Sequence, residues 1–160
     1  MKKHDCLFCK ISEGKEKAWI VWEDDQHIAF LTPFPNTPGF TVLATKEHEI
    51  SDIFNLTEDK YIPLLKAARS LSKTLQHAFN CQRVGMIMEG MGVNHAHVKL
   101  IPMHGISGGD WKPVNSANKV FTENYLGYLS SHDGPKWSED KLDIIATQIK
   151  KSIDVKCVDF

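Results

Sequence analysis

The sequence predicts an α+β domain that is built on an antiparallel sheet. Three predicted strands precede a long helix, and two more strands and a second helix follow it, so the regular alternation of strand and helix that gives a parallel sheet is absent. A chain of 160 residues, 42% of them hydrophobic, suits a single domain with a sizeable core. We therefore predict one domain over residues 1–160.

Five short stretches carry the apolar, β-branched and aromatic residues that are typical of strands. An acidic turn, Asp24-Asp25, separates the first two stretches. The segment 32–39 before the third must be a loop, because it holds three prolines and a glycine and proline lacks the amide hydrogen that a strand interior needs. The predicted strands are 18–23, 26–31, 40–44, 83–88 and 95–101.

Two helices are predicted from apolar residues that recur at helical spacing. The first runs from about Thr57, a plausible N-cap, and has Glu58 and Asp59 at the positive end of the helix dipole. The second begins near Ser138 and extends the apolar pattern to Ile153. The buried stripe predicted for the first helix consists of Leu64, Ala68, Leu71, Leu75 and Phe79.

The charges of the chain are almost balanced, with 19 Lys and Arg against 20 Asp and Glu. No global basic field attracts a nucleic acid polymer or an anionic membrane, so local groups must hold any anionic substrate. No apolar run approaches the roughly 20 residues of a membrane-spanning helix. Asp5 and Cys6 stand where a signal peptide needs an apolar stretch, and we expect a cytoplasmic protein.

The segment 95–102 concentrates the chemistry of the chain. Side chains alternate between the two faces of a strand, so His95, His97 and Lys99 share one face, and small apolar residues share the other. Burying two imidazoles and an ammonium group is costly unless they meet anions, a metal or hydrogen-bond partners. This face is therefore a candidate reaction site.

Two glycines stand just before this strand, Gly90 and Gly92, and their backbone amides could cradle a phosphate. Imidazole is a sensible nucleophile toward phosphorus at neutral pH, and a neighbouring cation stabilises the charge that develops on phosphoryl oxygens. The alternative is a histidine-rich edge strand with solvated side chains, preceded by an ordinary glycine turn.

These residues resemble the histidine-triad (HIT) family of nucleotide hydrolases and transferases, with Lys99 at the position of the third histidine. The resemblance covers roughly residues 5–106 and leaves 107–160 as a C-terminal extension. It implies a HIT-like five-stranded antiparallel sheet, one long helix, and a homodimer whose sheets join across a two-fold axis. The matching segments are 6–11, 21–25, 35–39, 46–48 and 95–102.

The resemblance also implies roles for particular residues. His97 is the nucleophile that attacks the α-phosphorus of a nucleotide, and water then cleaves the nucleotidyl-histidine. His95 and Lys99 flank it as further catalytic residues, and Thr32 takes the ribose position. Each apolar pocket residue could equally belong to the core. The predicted nucleotide-binding residues are Leu7, Phe8, Ile11, Phe30, Thr32, Val42, Gly90 and Gly92.

Three departures from the family pattern bear on turnover. Met91 and Gly92 replace a Gln and a hydroxyl residue that often bind phosphate. Lys99 is normally locked as a cation and is a poor proton shuttle, so phosphate binding is a firmer expectation than fast turnover. His104, just beyond the strand, is the nearest substitute acid.

The pair Cys6-x-x-Cys9 places two thiols on one turn, and in a reducing compartment it indicates a metal or redox site. Zinc prefers four nitrogen or sulfur ligands, and His48 and His95 are the candidates, as in some HIT relatives. Such a site is structural and fixes the strand that carries His97. Buried free thiols and a redox pair are the alternatives.

We therefore predict a HIT-family hydrolase that cleaves a phosphoanhydride or phosphoramidate, such as a dinucleoside polyphosphate or a nucleoside phosphoramidate. Structural zinc and no organic cofactor are expected. One alternative is a binding or scaffold protein that retained the nucleotide pocket and lost turnover, which the residues at positions 32, 92 and 99 favour. Another is nucleotidyl transfer to a different acceptor, which shares the covalent step.

Overall fold

The computed structural model describes residues 5–106, together with Glu123, Ser138 and Asp140. The chain divides into two compact units, 1–111 and 112–160, and every element described below lies in the first unit. Apart from these three residues, the predicted C-terminal helix and the rest of the extension lie outside the described residues. Within these ranges, no helix combines the length and the apolar character that crossing a bilayer requires.

A five-stranded antiparallel sheet forms the described unit, which confirms the predicted α+β fold. Its spatial order is β1-β2-β3-β5-β4, so the last strand in the sequence lies between the third and the fourth. Strand β3 is buried along its whole length, as expected at the centre of a sheet. The strands are β1 Trp19–Glu23, β2 His27–Leu31, β3 Thr41–Thr45, β4 Val84–Ile87 and β5 His97–Pro102.

Helix α2, Glu58–Phe79, follows the predicted boundaries. Thr57 precedes it without a side-chain capping bond, and the helix ends at Asn80 in the left-handed conformation. Four of the five predicted stripe residues are buried, whereas Phe79 is 37% exposed and packs against the ring of His104. The helix covers one face of the sheet, and their shared core comprises Ala29, Leu43, Leu64, Ala67, Ala68, Leu71, Leu75, Val98 and Leu100, with Ile53 from a short 3-10 turn.

A six-residue helix near the start of the described chain, α1 Leu7–Ser12, was not predicted from the sequence. It is too short for a helical period to show among the apolar residues that surround it. No side chain caps it, and burial of three of its six residues stabilises it instead. A second core cluster includes these residues and is formed by Cys6, Phe8, Cys9, Ile11, Ile28, Phe30, Val42 and Ala44.

The pairing of β3 with β5, the strand that begins at His97, shows which face of the sheet each β5 side chain occupies. Val98 and Leu100 belong to the core under α2, as the alternation predicted. Across the strands Ala44 pairs with His97 and Val42 pairs with Lys99. Because Val42 and Ala44 belong to the second core cluster, the histidine face lies on the side of the sheet that carries α1.

Candidate active site and metal centre

The side chain of His97 is buried and its ring has a defined hydrogen-bond arrangement. Its Nδ1 lies 2.7 Å from the backbone oxygen of His95, and a carbonyl only accepts, so Nδ1 carries the hydrogen. Burial lowers the pKa of His97, which favours the neutral ring. Among the described residues Nε2 has no hydrogen-bond partner, so its lone pair is available for chemistry.

A cavity of about 460 Å³ opens beside this imidazole. That volume lies in the range of pockets that hold small organic molecules, roughly 300–1,000 Å³. Seven of the eight residues predicted to bind nucleotide line it and Gly90 does not, and of the three predicted catalytic residues His95 is not in its lining. The predicted residues in the lining are Leu7, Phe8, Ile11, Phe30, Thr32, Val42, Gly92, His97 and Lys99.

Several other residues of the lining were not predicted from the sequence. Phe34, in the proline-rich loop, is 87% exposed, and Trp19 at the start of β1 is 54% exposed. Lys17 places its Nζ 5.7 Å from the centre of the Trp19 ring, which is a cation–π contact. Glu16 adds an acidic group to the same wall. Phe34 could have been found from the sequence, because it is an aromatic residue within the predicted proline-rich loop.

Lys99 pairs with a carboxylate that the sequence analysis did not select. Its ammonium group contacts the Oε1 atom of Glu89, and only 26% of the Lys99 side chain and 14% of the Glu89 side chain are exposed. Burial lowers the pKa of Lys99, and a carboxylate in contact acts in the opposite direction. The third triad position is thus occupied by an ion pair. The sequence signal that could have identified Glu89 is that it is the one acidic residue in the segment 80–98 and stands directly before Gly90.

The two glycines before the strand have different roles. Both adopt positive φ, +68° at Gly90 and +92° at Gly92. A Cβ atom on Gly90 would lie 2.5 Å from the backbone oxygen of Ser51, so this glycine permits close packing with the loop after β3. A Cβ atom on Gly92 would meet no atom within 4 Å. Gly92 lines the cavity, and its phosphate contact stays a prediction, whereas packing against Ser51 accounts for the glycine at position 90.

The four predicted metal ligands converge. The ligand atoms of Cys6, Cys9, His48 and His95 all lie within 4.8 Å of one another. Cys6 Sγ is 3.3 Å from His95 Nδ1, and Cys9 Sγ is 3.3 Å from His48 Nδ1. Both cysteines are buried, and neither forms a disulfide with a described residue. Two thiols and two imidazoles at this spacing are the donor set of a closed tetrahedral zinc site, so the residues present fit that metal.

His95 connects the cysteine cluster, which consists of Cys6, Cys9, His48 and His95 itself, to the candidate nucleophile His97. Its Nε2 donates to the backbone oxygen of Thr45 at 2.7 Å, so Nδ1 directs an unprotonated lone pair toward the thiols. Burial lowers the pKa of His95 to about 4, which keeps the ring neutral as a metal ligand requires. Its backbone oxygen at the same time accepts the hydrogen of His97 Nδ1. Thr45 was not predicted, because a backbone acceptor leaves no signal in the sequence.

The loop that carries His48 is held on both sides. Lys60 on α2 donates to Glu47 Oε2 at 2.5 Å and lies 3.3 Å from Glu49 Oε1, which brackets the histidine between two bound neighbours. The hydrogen bond to Glu47 raises the pKa of Lys60. The backbone oxygen of Glu49 also accepts the amide hydrogen of Ala96, beside His95, at 3.0 Å. These bonds fix His48 relative to the histidine strand.

His104 does not reach the reaction site. Its Nε2 lies 2.9 Å from the backbone oxygen of Pro38, and its ring contacts Phe79 with centroids 5.5 Å apart. It is exposed and is not in the cavity lining. The expectation that His104 replaces the third histidine as an acid is therefore not supported, and its observed contact is with the proline-rich loop.

Comparison with known proteins agrees with this geometry. The family model described as HIT domain matches residues 13–108, more than half of the chain. This chain belongs to the HIT domain family. As a HIT protein, it is 30% identical over 122 residues to an uncharacterized HIT-like protein of Borreliella burgdorferi, covering 72% of this chain and 87% of that one. An uncharacterized HIT-like protein of Saccharolobus solfataricus is 30% identical over 102 residues, covering 61% and 73%.

Solved structures share the fold of this HIT protein. The protein SMU.412c from Streptococcus mutans has a TM-score of 0.67 and 27% identity, covering 95% of this chain and 87% of that one. A HIT family protein from Bacillus anthracis has a TM-score of 0.60 and 26% identity, covering 92% and 96%. These likenesses confirm the predicted HIT-like fold.

Substituting each glycine by alanine tests their different roles. We expect both Gly90→Ala and Gly92→Ala to lose about 1–2 kcal/mol of unfolding free energy, because alanine is strained at positive φ. Gly90→Ala should lose a further ~1–3 kcal/mol, because its Cβ atom overlaps the Ser51 carbonyl. Urea unfolding measures both losses, and equal losses would contradict the packing role of Gly90.

Proposed function

We propose that this HIT protein is a hydrolase that cleaves a phosphoanhydride or phosphoramidate bond at the α-phosphorus of a nucleotide. The observation that carries the proposal is the neutral imidazole of His97. Its Nδ1 is engaged by a carbonyl oxygen, its Nε2 has no partner among residues 5–106, and its ring lines a cavity suited to a small molecule. A nucleophile needs that combination of an available lone pair, a fixed orientation and a substrate space beside it.

The proposed reaction has two displacements at phosphorus. Nε2 of His97 forms a bond to the α-phosphorus, and the bond to the leaving group breaks with its electron pair going to that group, which takes a proton from water. Water then attacks the same phosphorus and gives a proton to the hydroxide left by the first step. The N–P bond breaks with its electron pair returning to Nε2, so the imidazole is again neutral. The products are a nucleoside monophosphate and the leaving group, which is a nucleoside polyphosphate from a dinucleoside polyphosphate and an amine from a phosphoramidate. Lys99 offsets the negative charge on the phosphoryl oxygens.

The cavity walls support a nucleotide as the substrate. Phe8, Ile11 and Phe30 are buried apolar residues that offer a surface for a flat nucleobase. Thr32 has one lone pair engaged by the amide of Phe34 at 3.2 Å, which leaves its hydroxyl hydrogen free to donate to a ribose oxygen. The cationic Lys99 then lies at the phosphate end of the ligand.

We infer that Cys6, Cys9, His48 and His95 hold a structural zinc ion. When bound, zinc would take all four donors, so it would supply cross-linking of the cluster and no open position for chemistry. The chain's own contribution is the backbone of His95, which orients the nucleophile. Thiolate ligands persist in a reducing compartment, which agrees with the cytoplasmic location that we propose.

A second candidate function is nucleotide binding without turnover. The ion pair at Lys99 favours it, because a paired ammonium group exchanges protons poorly near neutral pH. The exposed Gly92 also offers no hydroxyl to the phosphate. Transfer of the nucleotidyl group to another acceptor would share the first displacement and differ only in what attacks the intermediate.

We also propose a homodimer that joins two sheets along β4. Among the described residues, the outer edges of β1 and β4 pair with no strand. The pairing of β1 with β2 has a shift in register between Ile20 and Trp22, and such an irregularity discourages a further strand from pairing with β1. The ladder of β4 is regular from Val84 to Ile87, and Met86 on it is 48% exposed.

Replacing the nucleophile tests the proposed reaction. We expect His97→Ala to lower turnover of adenosine 5′-phosphoramidate and of a diadenosine polyphosphate by roughly a thousandfold or more, because the covalent step is lost. His104→Ala is the matched control and should keep wild-type rates. Equal turnover by His97→Ala and the wild type would reject this mechanism. Nucleotide binding by calorimetry without turnover in the wild type would favour the second candidate function.

Metal analysis tests the zinc site. The protein expressed with zinc should carry about one ion per chain, and Cys9→Ser should lose most of it and unfold at a lower temperature. Cys81→Ser is the control, because Cys81 is also a buried cysteine outside any disulfide but is not part of the cluster. Equal zinc content in both variants would show that the cluster is not the binding site.

Sedimentation measures the proposed assembly. The wild type should sediment at twice the chain mass of 18.1 kDa. Met86→Asp should shift it to the monomer, because a buried unpaired carboxylate opposes association. Val21→Asp, at a 45% exposed position on the opposite edge strand, should remain a dimer. A monomeric wild type, or dissociation by Val21→Asp alone, would contradict pairing along β4.

A further inference from the structure

The cavity holds few charged groups for a site that is proposed to bind phosphate. Among the described residues in its lining, the charged side chains are Glu16, Lys17 and Lys99, and the imidazole of His97 is also titratable. Glu16 and Lys17 are exposed, so water screens their charges. Lys99 is thus the main cation for a phosphate inside the cavity.

Glu89 neutralises much of that charge. Its carboxylate contacts the Lys99 ammonium group, and both side chains are largely withdrawn from water. Charges interact more strongly there than on the surface, because the effective dielectric constant is lower. Glu89 is not itself in the cavity lining, and the proposed reaction gives it no role.

The backbone holds Glu89 in place beside Lys99. Ile87, the last residue of β4, is the cross-strand partner of Lys99, and Glu89 follows two residues later. The next residue, Gly90, packs on the Ser51 carbonyl and fixes the chain where it leaves the strand. Asn94 closes the same loop by accepting the Ser51 amide hydrogen at 3.1 Å. The carboxylate is therefore a built partner of the ammonium group.

This pair has different consequences for different phosphates. A phosphoryl group that is linked through oxygen or nitrogen to a substituent on both sides, as in a diester, an internal anhydride or an amidate ester, carries one negative charge. A terminal phosphate monoester loses a second proton near pH 6 and is a dianion above it. A cation already paired with a carboxylate can accept one further negative charge more readily than two, because the second charge is repelled by Glu89.

We propose that Glu89 is a positioning and specificity-determining residue that holds Lys99 and makes the site prefer a singly charged phosphoryl group over a dianion. The inference rests on the proposed function and refines its substrate class. The substrate is a nucleotide whose α-phosphate is substituted on both sides. The product, a nucleoside monophosphate, is a dianion, so the same repulsion favours its release.

Calorimetry with two probes tests the preference without requiring turnover. Adenosine 5′-monophosphate is a dianion at pH 8, and its methyl ester is a monoanion of nearly the same shape. The wild type should bind the methyl ester more tightly. Glu89→Gln should bind the monophosphate about tenfold more tightly and change the affinity for the methyl ester by less than about threefold, since only the dianion is strongly repelled.

Two control variants separate this charge effect from other causes. Glu16→Gln removes the same charge from the exposed wall of the same cavity and should leave the ratio of the two affinities unchanged. Glu89→Asp keeps the charge and should keep the wild-type preference. An equal shift for both probes in Glu89→Gln, or a shift in Glu16→Gln of the same size, would overturn the inference.

The wild type alone gives an independent test, in case Glu89→Gln does not fold. Its affinity for the monophosphate, relative to the methyl ester, should fall between pH 5 and pH 8 as the phosphate gains its second charge. The methyl ester stays a monoanion over this range, so its own affinity reports how titrating protein groups act on a singly charged ligand. A constant ratio overturns the inference while nucleotide binding stands. Binding of neither probe would overturn the proposed function as well.

Discussion

The hydrogen bond from His97 Nδ1 to the backbone oxygen of His95, 2.7 Å long, is the interaction on which the site depends. It selects one tautomer, leaves Nε2 unprotonated and holds the ring at the cavity wall. The carbonyl that accepts this bond belongs to the residue whose side chain stands in the cysteine cluster. Local order in the cluster is therefore transmitted to the nucleophile through one residue.

The central pairing of β3 with β5 allows the buried imidazoles to reach hydrogen-bond partners. One face of β5 adds Val98 and Leu100 to the main core, and the other carries His97, two residues after the buried His95 that precedes the strand. Both imidazoles would be costly to bury without partners. Those partners exist, because Thr45 accepts from His95 and the His95 carbonyl accepts from His97. Among the described residues, every side-chain nitrogen or oxygen that is fully withdrawn from solvent has a hydrogen-bond partner, and the unpartnered Nε2 of His97 is not one of these shielded atoms.

Sequence reasoning recovered the features that follow from local periodicity or from residue type. Alternation along β5 gave the two faces, and the spacing of Cys6 and Cys9 with the family resemblance gave a ligand set that the structure brings together. Features that depend on distant backbone contacts were not recoverable. Gly90 was predicted to contact phosphate, because the Ser51 carbonyl against which it packs belongs to a residue 39 positions earlier in the chain and could not be foreseen. Glu89 was missed because a single acidic residue gives no periodic signal.

The most direct test of the central claim is capture of the covalent intermediate. The protein is mixed with a phosphoramidate of adenosine labelled at the α-phosphorus, quenched within milliseconds in base, digested and analysed by mass spectrometry. A nucleotidyl group attached through Nε2 of His97 is the predicted result, stable in base and labile in acid as a phosphorus–nitrogen bond is. Label on a different residue, or hydrolysis at full rate with no labelled peptide, would contradict the role assigned to His97.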